Sequence, residues 1–211
     1  MALPDSVVGI LLAGGRSSRM GGGDKCLRMI RGSPILARII ARLQTQVSDI
    51  IINANGDARR FTAFGLPVVA DSIVGYAGPL AGIEAGLEWV KANRPGINYA
   101  VTVATDTPFF PEDLVEKLVA ASDDESKLRV ARSDVGMHPV IGLWPVALGV
   151  ALKTSLERGE RKAGAWVKDH DAIEVYFPSL EIRGRTLDPF FNINAPEDLA
   201  TAEALVSESA P

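Results

Sequence analysis

The sequence is poor in the residues that build staples and charge-relay sites. Its 211 residues include one cysteine, Cys26, and two histidines. A single thiol excludes an intramolecular disulfide and suits a reducing compartment. No nucleophile stands beside an obvious His or Glu base, which argues against a covalent intermediate. The apolar run from Val7 to Ala13 is far too short to span a bilayer, and no Lys or Arg precedes it as in a signal peptide. The formal net charge of -4 disfavours a phosphate-backbone partner, which selects basic faces. These absences predict a cytoplasmic protein with no membrane or nucleic-acid partner. No Pro/Ser linker, internal repeat or low-complexity segment divides the chain, so residues 1–211 read as one domain.

What is present is an alternation of strand and helix. Val7 to Leu12 is continuously apolar, as a strand covered on both faces is. Ser33-Pro34 reads as an N-cap and first turn, and Ile35, Leu36, Ile39, Ile40 and Leu43 follow at helical spacing. Asp49 to Asn53 reads as a strand, Asp57 to Phe64 as a short helix and Leu66 to Ala70 as a strand. A helix then runs from Leu80 to Asn93, a strand from Tyr99 to Ala104, and a helix opens at Pro111. The pattern predicts a parallel sheet with right-handed crossovers. Farther on, 128–133 and 139–143 read as strands close enough to pair, 146–157 and 164–170 as helices, and 173–177 as a strand. The last helix is expected to start at Asn194, with Glu197 closing a partial capping box. Trp89, Trp144 and Trp166 fall on faces expected to be core.

Directly after the first strand lies Leu11-Leu-Ala-Gly-Gly-Arg-Ser-Ser-Arg-Met-Gly-Gly-Gly-Asp-Lys25. Open α/β sheets bind ligands at that carboxyl edge. Glycines admit positive φ and bring amide N–H groups close to a ligand, and Arg16, Arg19 and Lys25 add positive charge. Such a loop suits a triphosphate, although a glycine-rich turn with solvated arginines would read the same way. It is not a Walker loop, because Cys26 rather than Ser or Thr follows Lys25, and Gly-x-Gly-x-x-Gly is absent. Asp106, past the Tyr99–Ala104 strand, is placed to bind a hard cation such as Mg²⁺, or else to make a turn with Thr107-Pro108. Asn53 and Asp71 end or follow strands at the same edge, as ligand-binding or as ordinary turn residues.

Taken together, Leu-Ala-Gly-Gly…Arg-Met-Gly-Gly…Asp-Lys, Asn53-Ala54-Asn55, Asp71-Ser72, Gly78-Pro79-Leu80-Ala81-Gly82, Asp106-Thr107-Pro108 and Asn192-Ile193-Asn194-Ala195-Pro196-Glu197-Asp198 resemble the molybdenum cofactor guanylyltransferases, the MobA family. The resemblance covers nearly the whole chain in order. It implies a single Rossmann-like three-layer α/β/α nucleotidyltransferase domain, its sheet mostly parallel with one antiparallel strand. It further implies transfer of GMP from GTP to molybdenum-molybdopterin with Mg²⁺ as cofactor. Leu12, Ala13, Gly14, Gly15, Lys25, Asn53, Asp71, Gly78, Leu80, Gly82 and Asp106 would hold the nucleotide, and Arg19, Lys25 and Asp106 would act in catalysis, Asp106 carrying the metal. His138, Arg161, Asn192 and Asn194 would meet the molybdopterin. Lys162 departs from the family's arginine-rich pattern, and Asn194 also reads as a plain N-cap. Proteins of molybdenum cofactor biosynthesis or delivery are the implied partners. A cytidylyltransferase, a sugar-nucleotide pyrophosphorylase and a non-catalytic nucleotide-binding adaptor remain the alternatives.

Overall fold

A computed structural model describes residues 6–14, 24–73 and 78–206. Arg16, Arg19 and Gly15 of the glycine-rich loop lie outside the described residues. Eleven strands are described: β1 (Val7–Leu12), β2 (Met29–Ile30), β3 (Ser33–Pro34), β4 (Asp49–Asn53), β5 (Val68–Val69), β6 (Tyr99–Ala104), β7 (Arg129–Ser133), β8 (Gly136–Pro145), β9 (Ile173–Tyr176), β10 (Leu180–Ile182) and β11 (Arg185–Leu187). The α-helices are α1 (Ile35–Leu43), α2 (Pro79–Asn93), α3 (Leu114–Ala120), α4 (Gly149–Glu157), α5 (Ala163–Asp169) and α6 (Pro196–Leu205). Seven strands form one sheet in the order β5-β4-β1-β6-β8-β7-β9. All its pairings are parallel except those of β8, which runs antiparallel to both β6 and β7.

The period-2 alternation of strand side chains divides two cores. Val7 and Leu11 of β1 face one side with Ile50 and Ile52 of β4, under α1, α3 and α6. Val8, Ile10 and Leu12 face the other with Ile51, under α2, α4 and α5. The result is a three-layer α/β/α architecture. Trp144 and Trp166 are buried in the second core, while Trp89 is partly buried against it. No described helix is long and apolar enough to cross a membrane.

Strand order reverses at β1. The chain moves from β1 outward to β4 and β5, then returns to β6 on the other flank. The carboxyl ends of β1 and β6 are thus neighbours, with Leu12 opposite Ala104. This is the switch point at which open α/β sheets leave a crevice.

The wall facing that crevice comes from an irregularity in β8. Its pairing with β7 passes from Val130↔Gly142 straight to Ala131↔His138, so Pro139, Val140 and Ile141 have no partner on β7. Pro139 has no N–H to leave unpaired, and the Val140 carbonyl accepts from Thr102 Oγ1 at 2.7 Å. Bulges of this kind re-aim side chains beside functional sites.

Several element boundaries differ from the sequence reading. Ser33 and Pro34 do not open α1; they pair with β2 around Arg31-Gly32. Both turn residues have positive φ, 50° and 80°, the requirement of a two-residue hairpin turn that matches strand twist. Arg183-Gly184 makes the same turn between β10 and β11, with φ of 53° and 73°. Strands this short carry no legible periodicity. The last helix starts at Pro196 rather than Asn194. Asp198, not Glu197, closes its first turn, accepting from the amides of Asn194 and Ala195 at 2.8 Å each. Helix α3 begins at Leu114, three residues past Pro111.

Gly142 is where β8 leaves the bulge, and there is no room beside it. An added Cβ would stand 2.5 Å from the Arg129 carbonyl oxygen and 3.2 Å from Val130 Cα, both backbone atoms that cannot swing aside. Gly142→Ala is therefore expected to cost about 1–3 kcal/mol of stability by overpacking, read as a lower urea midpoint. An unchanged midpoint would show that the bulge relaxes freely.

Candidate functional site

The crevice at the β1/β6 switch point is a cavity of about 510 Å³. Leu12, Ala13 and Gly14 line it from the end of β1, Asp24, Lys25 and Cys26 from the far end of the glycine-rich loop, and Pro79 from the start of α2. Thr105 and Asp106 come from beyond β6, residues 137–141 from the β8 bulge, and Asn192 from the segment before α6.

Lys25 draws three distant segments together. Its Nζ lies 3.2 Å from Asp106 Oδ2 and donates to Asn194 Oδ1 at 2.6 Å. The Ile193 amide donates to the Asp106 carbonyl at 2.9 Å, which fixes the Asn192–Asn194 segment against the end of β6. Thr105, buried and not singled out in the sequence, ties the same turn to β1 through a 3.1 Å bond from its hydroxyl to the Leu12 carbonyl. A cation, a carboxylate and an amide side chain thus meet at one mouth, with Lys25 and Asp106 each about a quarter exposed.

A second cluster adjoins Leu12. Asn53 Nδ2 donates to Asp71 Oδ1 at 2.9 Å and Asn55 Nδ2 to Asp71 Oδ2 at 2.7 Å. The Asp71 amide returns a 2.9 Å bond to Asn55 Oδ1. Both Asp71 oxygens are held, yet each keeps a lone pair for a further donor. Asn55, two residues past Asn53 and bonded to the same carboxylate, gave a sequence signal only as part of its motif. Gly82 makes the cluster possible: a Cβ there would stand 2.1 Å from Asn53 Oδ1 and 3.2 Å from Leu12 Cδ2. Gly78 adopts φ of 74° where α2 begins. Leu80 is fully buried in the second core and does not line the cavity; Pro79 is the residue of this segment that does.

The remaining named residues are less uniform. His138 lines the cavity and packs on Phe190, ring centroids 4.6 Å apart. Ser133 Oγ lies 2.8 Å from His138 Nε2 and 2.5 Å from Asp188 Oδ2. Despite its composition this is no Ser-His-Asp triad. Ser133 is 2% exposed and contacts both partners itself, whereas a nucleophile must be open with His between it and the acid. Burial holds the His138 imidazole below its usual value, opposed by the Asp188 charge. Arg161 is exposed and turns its guanidinium onto the Leu156 and Glu160 carbonyls, outside the cavity lining, while its own carbonyl oxygen sits 3.3 Å from where a Gly78 Cβ would be. Burial, followed by the Asp24 charge, pushes the Cys26 thiol up to about 11, so it stays protonated and non-nucleophilic at neutral pH.

Two outcomes follow from this geometry. Gly82→Ala must displace the Asn53 side chain or shift α2; it is expected to cost about 1–3 kcal/mol of stability by overpacking, read as a lower melting temperature. A neutral buried His138 binds its proton less readily when folded than when unfolded. The native state should therefore lose stability relative to His138→Gln as pH falls below about 6.5, read as diverging melting temperatures between pH 7 and pH 5. Parallel curves would remove the burial effect.

The arrangement can be set beside known proteins. The family model described as the MobA-like NTP transferase domain matches residues 9–173. A molybdenum cofactor guanylyltransferase of Nitrobacter hamburgensis is 48% identical, covering 94% of each chain. One from a Bradyrhizobium species is 47% identical over 96% of this chain and 94% of its own. Among solved structures, the molybdopterin-guanine dinucleotide biosynthesis protein A of Archaeoglobus fulgidus superposes with a TM-score of 0.70 at 22% identity, over 93% of this chain and 97% of that one, which shows the shared fold. Matched by that model across most of its length, and nearly half identical to such relatives almost end to end, this chain belongs to the MobA-like NTP transferase family.

Proposed function

We propose that the protein transfers GMP from GTP to the terminal phosphate of molybdenum-bound molybdopterin, forming molybdopterin guanine dinucleotide in the cytoplasm. The observation that carries this reading is the meeting of Lys25, Asp106 and Asn194 at the switch-point cavity. Its relatives at 47–48% identity are named for the same transfer.

A terminal phosphate oxygen attacks the α-phosphorus of GTP. The new P–O bond forms as the bond from the α-phosphorus to the bridging oxygen breaks, and pyrophosphate leaves with that electron pair. The attacker is already an anion at neutral pH, so no general base is needed. Catalysis rests on holding two anions in line and neutralising their charge. Lys25 supplies a fixed positive charge at the cavity mouth, beside the Leu12–Gly14 segment. Asn53, Asn55 and Asp71 form a donor-and-acceptor group suited to the guanine nucleotide, and Asn192 and Asn194 offer amides to the pterin substrate's phosphate. Arg19 and Gly15 would add to the phosphate cradle.

Mg²⁺ fits the oxygen donors present. Among the described residues no group of three or more His, Cys, Asp or Glu could hold a metal ion. Mg²⁺ commonly takes only one or two carboxylates, completing its shell with substrate phosphates and water. Asp106 is the carboxylate that would hold it, and the ion would supply charge neutralisation on the triphosphate. Lys25, now within 3.2 Å of Asp106 Oδ2, would then turn its charge toward the phosphates.

Asp106→Ala is expected to lower turnover by about 100-fold or more with an unchanged melting temperature, read as pyrophosphate release from GTP and purified cofactor. Lys25→Ala should raise the Kd for GTP by about tenfold or more, the worth of a charged hydrogen bond. A thermal-shift panel of GTP, CTP, UTP and ATP with Mg²⁺ checks the base. A larger shift with CTP or UTP would overturn the guanylyl assignment in favour of another nucleotidyltransferase.

A further inference from the structure

Arg60 lies outside every motif, yet it touches both halves of the candidate site. It belongs to the 3₁₀ helix Ala58–Phe64 that follows β4. Its Nε stands 2.6 Å from Asp24 Oδ2, next to Lys25 at the end of the glycine-rich loop. Its Nη2 donates to the Asn55 carbonyl at 2.6 Å and its Nη1 to the Asp57 carbonyl at 3.3 Å. The guanidinium carbon lies 4.8 Å from the centroid of the Phe61 ring, and that ring is fully buried. The side chain is 28% exposed and its Asp24 partner 21%.

These contacts place Arg60 in a polar chain that spans the site. At one end Asp24 precedes Lys25, whose ammonium meets Asp106. At the other, Asn55 holds Asp71 through two hydrogen bonds, and Asp71 holds Asn53. Nothing else described links Asp24 to the Asn55–Asp71 cluster. Asp24 is met as an ion pair in which Nε makes no hydrogen bond, while the terminal nitrogens donate to the Asn55 and Asp57 carbonyls; an arginine suits such a bridge, because its delocalised charge can face one partner while its planar fork donates to others. Lysine, with a single compact charge, cannot reproduce the fork.

We propose that Arg60 is a positioning residue that sets the spacing between the phosphate-binding and base-binding halves of the nucleotide site. Its side chain does not line the cavity. The inference rests on the guanylyltransferase reading for the placement of the two halves. A ligand that binds at two points gains most when those points are held at the right separation before it arrives, since the second contact then costs little further ordering. Removing the bridge leaves each half able to bind its own fragment and abolishes the advantage of binding both.

The experiment compares wild type, Arg60→Ala and Arg60→Lys with three probes and Mg²⁺: GTP, guanosine and inorganic tripolyphosphate. Expected for both variants is a GTP Kd raised about tenfold, with guanosine and tripolyphosphate each within twofold of wild type and the melting temperature preserved. Asp24→Asn should reproduce the loss, and Asp24→Asn combined with Arg60→Ala should add little to either. Unchanged GTP affinity overturns the proposal, as does an equal weakening of all three probes, which marks a purely structural residue. Full rescue by Arg60→Lys overturns it as well. Failure of wild type to bind GTP would instead sink the guanylyltransferase reading.

Discussion

The ammonium of Lys25, shared between Asp106 and Asn194, is the interaction on which the site depends. It joins residues 81 and 169 positions apart in sequence, so it exists only once the sheet has been assembled in its full order. A cation beside a carboxylate in a partly open cavity is also a poised arrangement. The pair satisfies itself without ligand, and on the proposed reading each member would gain a better partner from a metal–triphosphate: Asp106 the metal, Lys25 the phosphates. Site assembly and substrate binding would thus use the same charges.

Around that junction the fold supplies rigidity cheaply. β1 and β6 end side by side because the chain reverses direction across the sheet at β1. The bulge in β8 gives the opposite wall its shape. Glycine at position 82 lets the Asn53 side chain lie against α2. None of these features reacts with anything. Each fixes the position of a group that would, which matches a reaction whose barrier is lowered by alignment and charge neutralisation rather than by proton transfer or a covalent intermediate. The unreactive state of Cys26 and the closed geometry around Ser133 agree with that.

Motif by motif, the sequence was a good guide to which segments would meet and a poorer one to how. Asn53 and Asp71 read individually as turn residues or ligands. The structure shows Asp71 bonded to both Asn53 and Asn55, so its carboxylate is held in one orientation without any ligand. Asn194 read as a helix cap, but the N-cap is Ala195, one residue on, and the Asn194 side chain accepts from Lys25 instead. Arg161, which looked basic and available, spends its guanidinium on carbonyls. Arg60 had no signal at all: a lone arginine in a short helix becomes meaningful only when its neighbours in space are known.

The amino-acid order alone determined the strand–helix alternation, the mostly parallel sheet, the burial of β1 and the family resemblance, because hydrophobic period and glycine placement are local properties that a chain carries before it folds. It also set which chemistry to expect least, through a single cysteine and few histidines. Tertiary structure decided the pairing of Lys25 with Asp106, the bracing of Asp71, the bulge that walls the cavity and the bridge made by Arg60. Hydrogen bonds and ion pairs act over about 3 Å and in fixed directions, and separation along the chain says nothing about either.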